Sequence, residues 1–269
     1  MSEKNLEFLK DALKYLGFGE GLNEKLTENV KSEKPEFQLG TVNTYGKDKV
    51  SYSLDFKRSD KADMYFFNRY TASFKAGENG PEKSQSFYIN KNAGVTAKEA
   101  YNLLNGRSVN KDLVNSEGQK FNAWLQLDFN QPDDKGGHKF RQFHSGYGYN
   151  LERELAKLPI NDLNDMKSKE RLMQSLERGN VHEVNFVKDD KTQKMFIEAN
   201  PQFKTLNIYD SEMKKVFQEH QKKETKPEAE KAVVSEDKKE GQKKDLNKKP
   251  DDESPDKGKR TFSRKGLGV

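Results

Sequence analysis

The chain has 269 residues, of which 32% are hydrophobic and 35% charged; 49 Lys and Arg face 44 Asp and Glu, for a formal net charge of +5. That length holds one large domain or two small ones, and so small and intermixed a basic excess is a weak signal for nucleic acid. Cysteine is absent, which excludes disulfides, a thiolate nucleophile and cysteine-ligated zinc.

The N-terminal residues 1–14 are charged throughout and lack an apolar core of the signal-peptide kind. No stretch approaches the ~18 apolar residues of a membrane span. A soluble, cytoplasmic protein that does not engage a membrane is expected.

Residues 2–16 place Leu6, Leu9, Leu13 and Leu16 at helical spacing, with Phe8 and Tyr15 beside them, the pattern of an amphipathic helix. Gly17 and Gly19 end it, because glycine takes the left-handed conformation that closes a helix. A second helix follows on the stripe Leu22, Leu26 and Val30, with Pro35 beyond its end. Two helices across a short glycine turn make an N-terminal helical hairpin, which either packs on a sheet or presents a groove to a protein partner. Bare amphipathicity favours packing.

From Val42 the period changes to that of strands. Val50, Tyr52, Leu54 and Phe56 alternate with Ser51, Ser53, Asp55 and Lys57. Residues 63–74 crowd Tyr65, Phe66, Phe67, Tyr70 and Phe74 onto both faces, as a central strand does. Aromatic strands of this kind also stack bases, although few basic residues are interleaved here. Residues 77–84 read as a loop and 86–90 as a short strand.

Residues 94–129 are the best-specified stretch. Thr96 and Glu99 form the S/T-x-x-E capping box, Ala100, Leu103 and Leu104 supply a buried face, and Gly106 stops the helix. Residues 109–114 and 121–129 then read as antiparallel strands about the turn Asn115, Ser116, Glu117, Gly118. Phe121, Ala123, Leu125, Leu127 and Phe129 share one face, and Trp124 lies on the other, where it is either covered by another element or exposed for binding. Trp124 and Arg107 are the two residues of this stretch left without a folding reason, and so its candidates for contact.

A polar loop at 131–137, a strand at 139–144 and a helix at 151–158 closed by Pro159 complete the first half. The second half repeats the plan, with a helix at 168–179 and strands at 181–188, 195–200 and 206–209. Lys169, Glu170, Leu176 and Gly179 fall about seventy residues after Lys98, Glu99, Leu104 and Gly106. This is either a helix-plus-three-strand internal repeat or the common look of a glycine-capped helix before a hairpin. Residues 211–221 read as a last helix through Met213, Val216 and Phe217.

Residues 222–269 are too polar to offset the entropy of ordering them and are expected to be disordered. They end in the basic cluster Lys257, Lys259, Arg260, Phe262, Arg264 and Lys265. Such a cluster either contacts nucleic acid or an acidic surface or serves as a solubilising tail. The expected organisation is an α+β protein of antiparallel sheets and short helices: a domain at 1–160, a smaller module at 161–221 and the tail at 222–269.

Chemistry is harder to find. His138, His144, His182 and His220 are scattered over separate elements, and no metalloprotease, P-loop, nucleophile-elbow or dinucleotide motif is present. Asp128, Asn130, Asp133 and Asp134 gather oxygens in one loop, as a hard cation requires, yet their spacing is not that of an EF-hand and Asx residues are ordinary turn formers. No metal, cofactor or catalytic residue is assigned. An enzyme reading requires at least two of Asp128, His138, His144 and Glu198 to converge in a deep pocket with shifted pKa values.

Five strings, DMYFFNRY at 63–70, SFYINKN at 86–92, KEAYNLLNGRSVNKDL at 98–113, EGQKFNAWLQ at 117–126 and MFIEANPQFKTLNIY at 195–209, together resemble a family of uncharacterised proteins carried on conjugative and other mobile elements of Bacteroidetes, grouped as a domain of unknown function. The resemblance covers most of 1–217 and includes a charged tail with a basic end. It implies a genomic setting rather than an activity: members look like accessory proteins of mobile elements, and related modules resemble segments attached to larger DNA-processing proteins. It assigns no catalytic residue. The expectation is a non-enzymatic accessory or adaptor protein, with nucleic acid contacted through the basic tail or a protein partner through the N-terminal helices.

Overall fold

The computed structural model of the chain describes residues 3–75, 77, 80–89, 94–134, 136–188 and 191–216. Helices α1 (Glu3–Tyr15) and α2 (Asn23–Lys31) precede a meander of β1 (Glu36–Tyr45), β2 (Asp48–Arg58), β3 (Tyr65–Lys75) and β4 (Glu82–Tyr88), which lie side by side in that order. Helix α3 (Ala97–Leu104) leads into a second sheet of β5 (Val109–Val114), β6 (Lys120–Pro132) and β7 (His138–His144). Helices α4 (Leu151–Leu155) and α5 (Met166–Glu177) lead into a third, of β8 (His182–Lys188), β9 (Lys191–Asn200), β10 (Thr205–Tyr209) and β11 (Lys215–Val216). Every strand pair among the described residues is antiparallel, so the chain is α+β. No helix among them is long and apolar enough to cross a membrane.

Two elements differ from expectation. Residues 211–216 are not the start of a helix, because Asp210 Oδ1 accepts from the backbone N–H groups of Glu212 and Lys214 and turns the chain back. Met213 sits at φ 63 in that turn, and Lys215–Val216 then pair with β10. Strand β4 begins at Glu82, inside the stretch read as a loop. Its polar positions are strand positions whose hydroxyls meet across the sheet, Ser86 with Thr71 at 2.9 Å and Ser84 with Ser73 at 3.1 Å. Residues 217–221, the tail at 222–269 and its basic cluster lie outside the described residues.

Strand β3 resolves the aromatic crowding. Asp55 pairs with Arg69 but Phe56 pairs with Phe67, so Asn68 is an extra residue on the bulged strand. The bulge changes the parity of the side chains. Tyr65 and Phe67 before it and Tyr70, Ala72 and Phe74 after it therefore all face the same core, while Phe66 is left exposed on the other side. With Tyr65, Tyr70 and Phe74 at 2% exposure or less, these rings are core and have no face to offer a base.

The buried side chains form two cores. The first joins Leu9 and Leu13 of α1, Leu26 of α2, the inner faces of β2 and β3, all the apolar residues of α3, and Leu125 and Leu127 of β6. The stripe Leu9, Leu13, Leu22 and Leu26 is buried here and is not a groove. The second core joins Trp124 and Phe143 to Leu151, Leu155, Leu172, Leu176 and the inner faces of β8, β9 and β10. Alternation along β6 thus sends Leu125 and Leu127 into one core and Trp124 into the other. The second core starts well before residue 160, and all the described residues fall within one compact unit.

Candidate binding site

Of the residues nominated for contact, Trp124 is withdrawn: it is 7% exposed and meets Tyr149 edge to face at 5.5 Å. The pleat of β6 turns it into the second core, which makes it the covered tryptophan of the two alternatives. The tail residues Lys257, Lys259, Arg260, Phe262, Arg264 and Lys265 lie outside the described residues. Arg107 remains, and the structure gives it a built surrounding.

Helix α3 ends in a Schellman motif. Gly106 at φ +80 donates to Leu103 O at 2.8 Å, and Arg107 N donates to Asn102 O at 3.0 Å. That turn folds Arg107 back along the helix it follows. Its Nη2 donates to Asn102 Oδ1 at 2.7 Å, and its guanidinium carbon lies 5.1 Å from the centre of the Tyr101 ring. Arg107 Nε is enclosed without a hydrogen-bond partner among the described residues.

Asn102 has no exposed surface. Besides accepting from Arg107, it donates through Nδ2 to Arg178 O at 2.6 Å and Asn180 Oδ1 at 3.0 Å. The same amide therefore orients the guanidinium and ties α3 to the end of α5.

A second cation joins Arg107 on Tyr101. Lys98, one helical turn before Tyr101, places Nζ 4.5 Å from the centre of that ring and 4.3 Å from that of Tyr45, which stacks on Tyr101 at 4.6 Å. Burial, with the neighbouring charge of Arg107, holds the Lys98 ammonium below the usual lysine range. Asp48 offsets part of this charge while accepting the Tyr101 hydroxyl at 2.7 Å. Neither Lys98 nor Arg107 forms an ion pair among the described residues. Sequence reasoning found Arg107 by elimination and missed Lys98, whose only signal was the Lys-x-x-Tyr-Asn spacing on one helix.

Glu99 lies toward a different neighbourhood, a cavity of about 470 Å³ lined in part by Thr96, Lys111, Asp112, Glu177 and Arg178. It completes the capping box by accepting from Thr96 N at 2.8 Å and pairs with Lys111 at 3.0 Å. Burial pushes the Glu177 carboxyl up, the charge of Arg178 pulls it down, and Asp112 adds to the rise.

The residues weighed for catalysis or cation binding do not gather in one place: His138 lines a cavity with Asp133 and Asp134 and lies near Asp128, while His144 is at the other end of β7 and Glu198 on another sheet. Asp128 is 4% exposed; burial pushes its carboxyl up, but the hydrogen bonds from Arg141 and the Asn130 backbone N–H, with the neighbouring positive charge, together outweigh it and keep it below the usual range. Asp133 Oδ1 accepts from Gly137 N at 2.7 Å and so closes the loop between β6 and β7. His138 and His144 lie against Phe129 and Phe121. Glu198 is on a different sheet, accepting from Asn207 at 2.6 Å and the Tyr209 hydroxyl at 2.7 Å. Among the described residues no three His, Asp or Glu side chains are grouped as a metal site. Comparison of the chain with protein-family models, curated proteins and solved structures returned no match.

Proposed function

We propose that the chain is a non-enzymatic accessory or adaptor protein of a mobile element, acting through nucleic-acid or protein contacts. The observation that carries this reading is how its reactive side chains are engaged: Asp128, His138 and His144 lie on one sheet and Glu198 on another, and both carboxylates are held by neighbouring donors. The resemblance to proteins of conjugative elements supports the setting, and the basic end of the tail supports a nucleic-acid contact. In the same reading α1 and α2 form a helical hairpin, and α3 with β5–β7 and α5 with β8–β10 are two copies of one unit. The pairs that open the two hairpins, Val109 with Leu125 and His182 with Ile197, take equivalent places, which favours duplication.

The test is direct binding of the full chain to single-stranded DNA, duplex DNA and RNA by fluorescence anisotropy, with proteins of the host element assayed beside them. Association tighter than roughly 100 µM at physiological salt with one of these supports the reading. Weaker association with all of them removes it.

A further inference from the structure

We infer that Lys98 and Arg107, arranged on the ring of Tyr101, form a phosphate-binding subsite in the folded body, separate from the basic tail. Two cations bearing on one aromatic ring repel each other, and the Asp48 carboxylate, held on the Tyr101 hydroxyl, offsets only part of that repulsion and forms no ion pair with either cation among the described residues. Here Arg107 is instead fixed from behind by Asn102, itself without exposure, and by the closing turn of α3. Lys98 rests over two stacked rings with no ion pair among the described residues. Asp48 holds the hydroxyl of Tyr101 and so steadies the ring that both cations share. A fixed guanidinium and a lysine ammonium held on one ring are a donor set that takes a phosphate oxyanion, the guanidinium offering the Nη hydrogens that Asn102 does not hold, since Nε is enclosed, and the ammonium a compact charge. The rings are already stacked on each other and covered by cations, so the subsite reads phosphate and not a base.

This deepens the nucleic-acid arm of the proposed function, and it can stand or fall by itself. The phosphate belongs either to a small free species or to a polynucleotide backbone, which gives the experiment two arms. In the first, full-length chain labelled with nitrogen-15 is titrated with inorganic phosphate at constant ionic strength, with chloride as control. Saturable shifts centred on Lys98, Tyr101 and Arg107 are expected, weakened about tenfold in Lys98→Met and in Arg107→Gln. In the second, a short single-stranded oligonucleotide is titrated into the full chain and into a full-length variant with Lys257, Lys259, Arg260, Arg264 and Lys265 changed to Gln. If the backbone is the source, the tail variant retains binding that Lys98→Met reduces, with the salt slope falling by about one.

Phosphate shifts without oligonucleotide binding leave the subsite standing and assign it to a free phosphate species, while the nucleic-acid reading fails. Shifts spread over surface lysines, or saturable shifts unchanged in Lys98→Met, overturn the subsite. Lys98→Met serves as the deciding variant because its side chain makes no hydrogen bond among the described residues, whereas Arg107→Gln also disturbs Asn102. A thermal melt matching that of the parent shows that the variant is folded.

Discussion

A side-chain amide in the interior has four hydrogen bonds to satisfy, and Asn102 satisfies three of them with partners from two parts of the chain, Arg107 on one side and Arg178 and Asn180 on the other. Truncation leaves those partners without it at a point where Asn102 itself has no exposed surface. Asn102→Ala is expected to cost about 2 kcal/mol in urea denaturation, whereas a surface asparagine such as Asn68 changed to Ala should cost well under 1 kcal/mol. Glu177 makes the opposite case. Its folded pKa is raised by burial above the unfolded value, so the native chain binds a proton more readily than the unfolded one between those two values. Stability is then highest below the unfolded pKa and falls as pH rises through the folded one, with the full penalty present at neutral pH. Glu177→Gln should accordingly be more stable than the parent at pH 7, with the difference vanishing toward pH 3. A pH series of thermal melts reads this, and a constant difference across the series would refute it. Neither residue was legible as important in the sequence: an asparagine inside a helix is an ordinary surface residue until a second element covers it, and Glu177 looks like any acid near a helix end.

At the scale of elements, the sequence carried most of what local chemistry decides. The capping box of α3, the glycine stops at Gly106 and Gly179 and the alternation along β2 and β6 are local patterns with one physical reading each, and their elements lie where those patterns put them. What escaped needed partners. Strand β4 has a polar outward face whose serines become informative only when Thr71 and Ser73 lie opposite, and residues 211–216 have a helical pattern that the side chain of Asp210 overrides. The bulge in β3 is the clearest instance. A period-2 reading of residues 65–74 finds aromatics on both faces because it assumes constant parity, while the chain inserts Asn68 and keeps one face. Deleting Asn68 restores regular pairing but sends either Tyr65 and Phe67 or Tyr70, Ala72 and Phe74 away from the core. The deletion variant should lose its cooperative melt, while Asn68→Ala keeps it, since that side chain is exposed. A deletion variant with an unchanged melt would mean that the parity argument is wrong.

At the scale of the molecule, strands β6 and β7 and one corner join the two cores. Strand β6 has a face in each core, and at the corner Gly179, at φ +76, lets the end of α5 approach α3 and β5 so closely that an added Cβ would meet Ser108 O at 2.7 Å and Val109 Cγ2 at 3.0 Å. A sequence boundary placed at 160 misses this, because nothing local marks Trp124 as belonging to the same core as Ile197. If the joint couples the cores, damage at the corner must be felt in both. Gly179→Ala combines a left-handed conformation with a backbone clash and should cost about 3 kcal/mol. The loss should appear equally in Trp124 fluorescence, which reports the second core, and in hydrogen exchange of peptides from β2 and β3, which report the first. Coincident transitions by these probes, shifted together, are the signature of a single cooperative unit. Were the tryptophan signal to melt early while β2 and β3 kept the parent's protection, the two cores would be separable domains, and Asn102, with the Lys98 and Arg107 site it supports, would lie at a hinge between them rather than inside a rigid body.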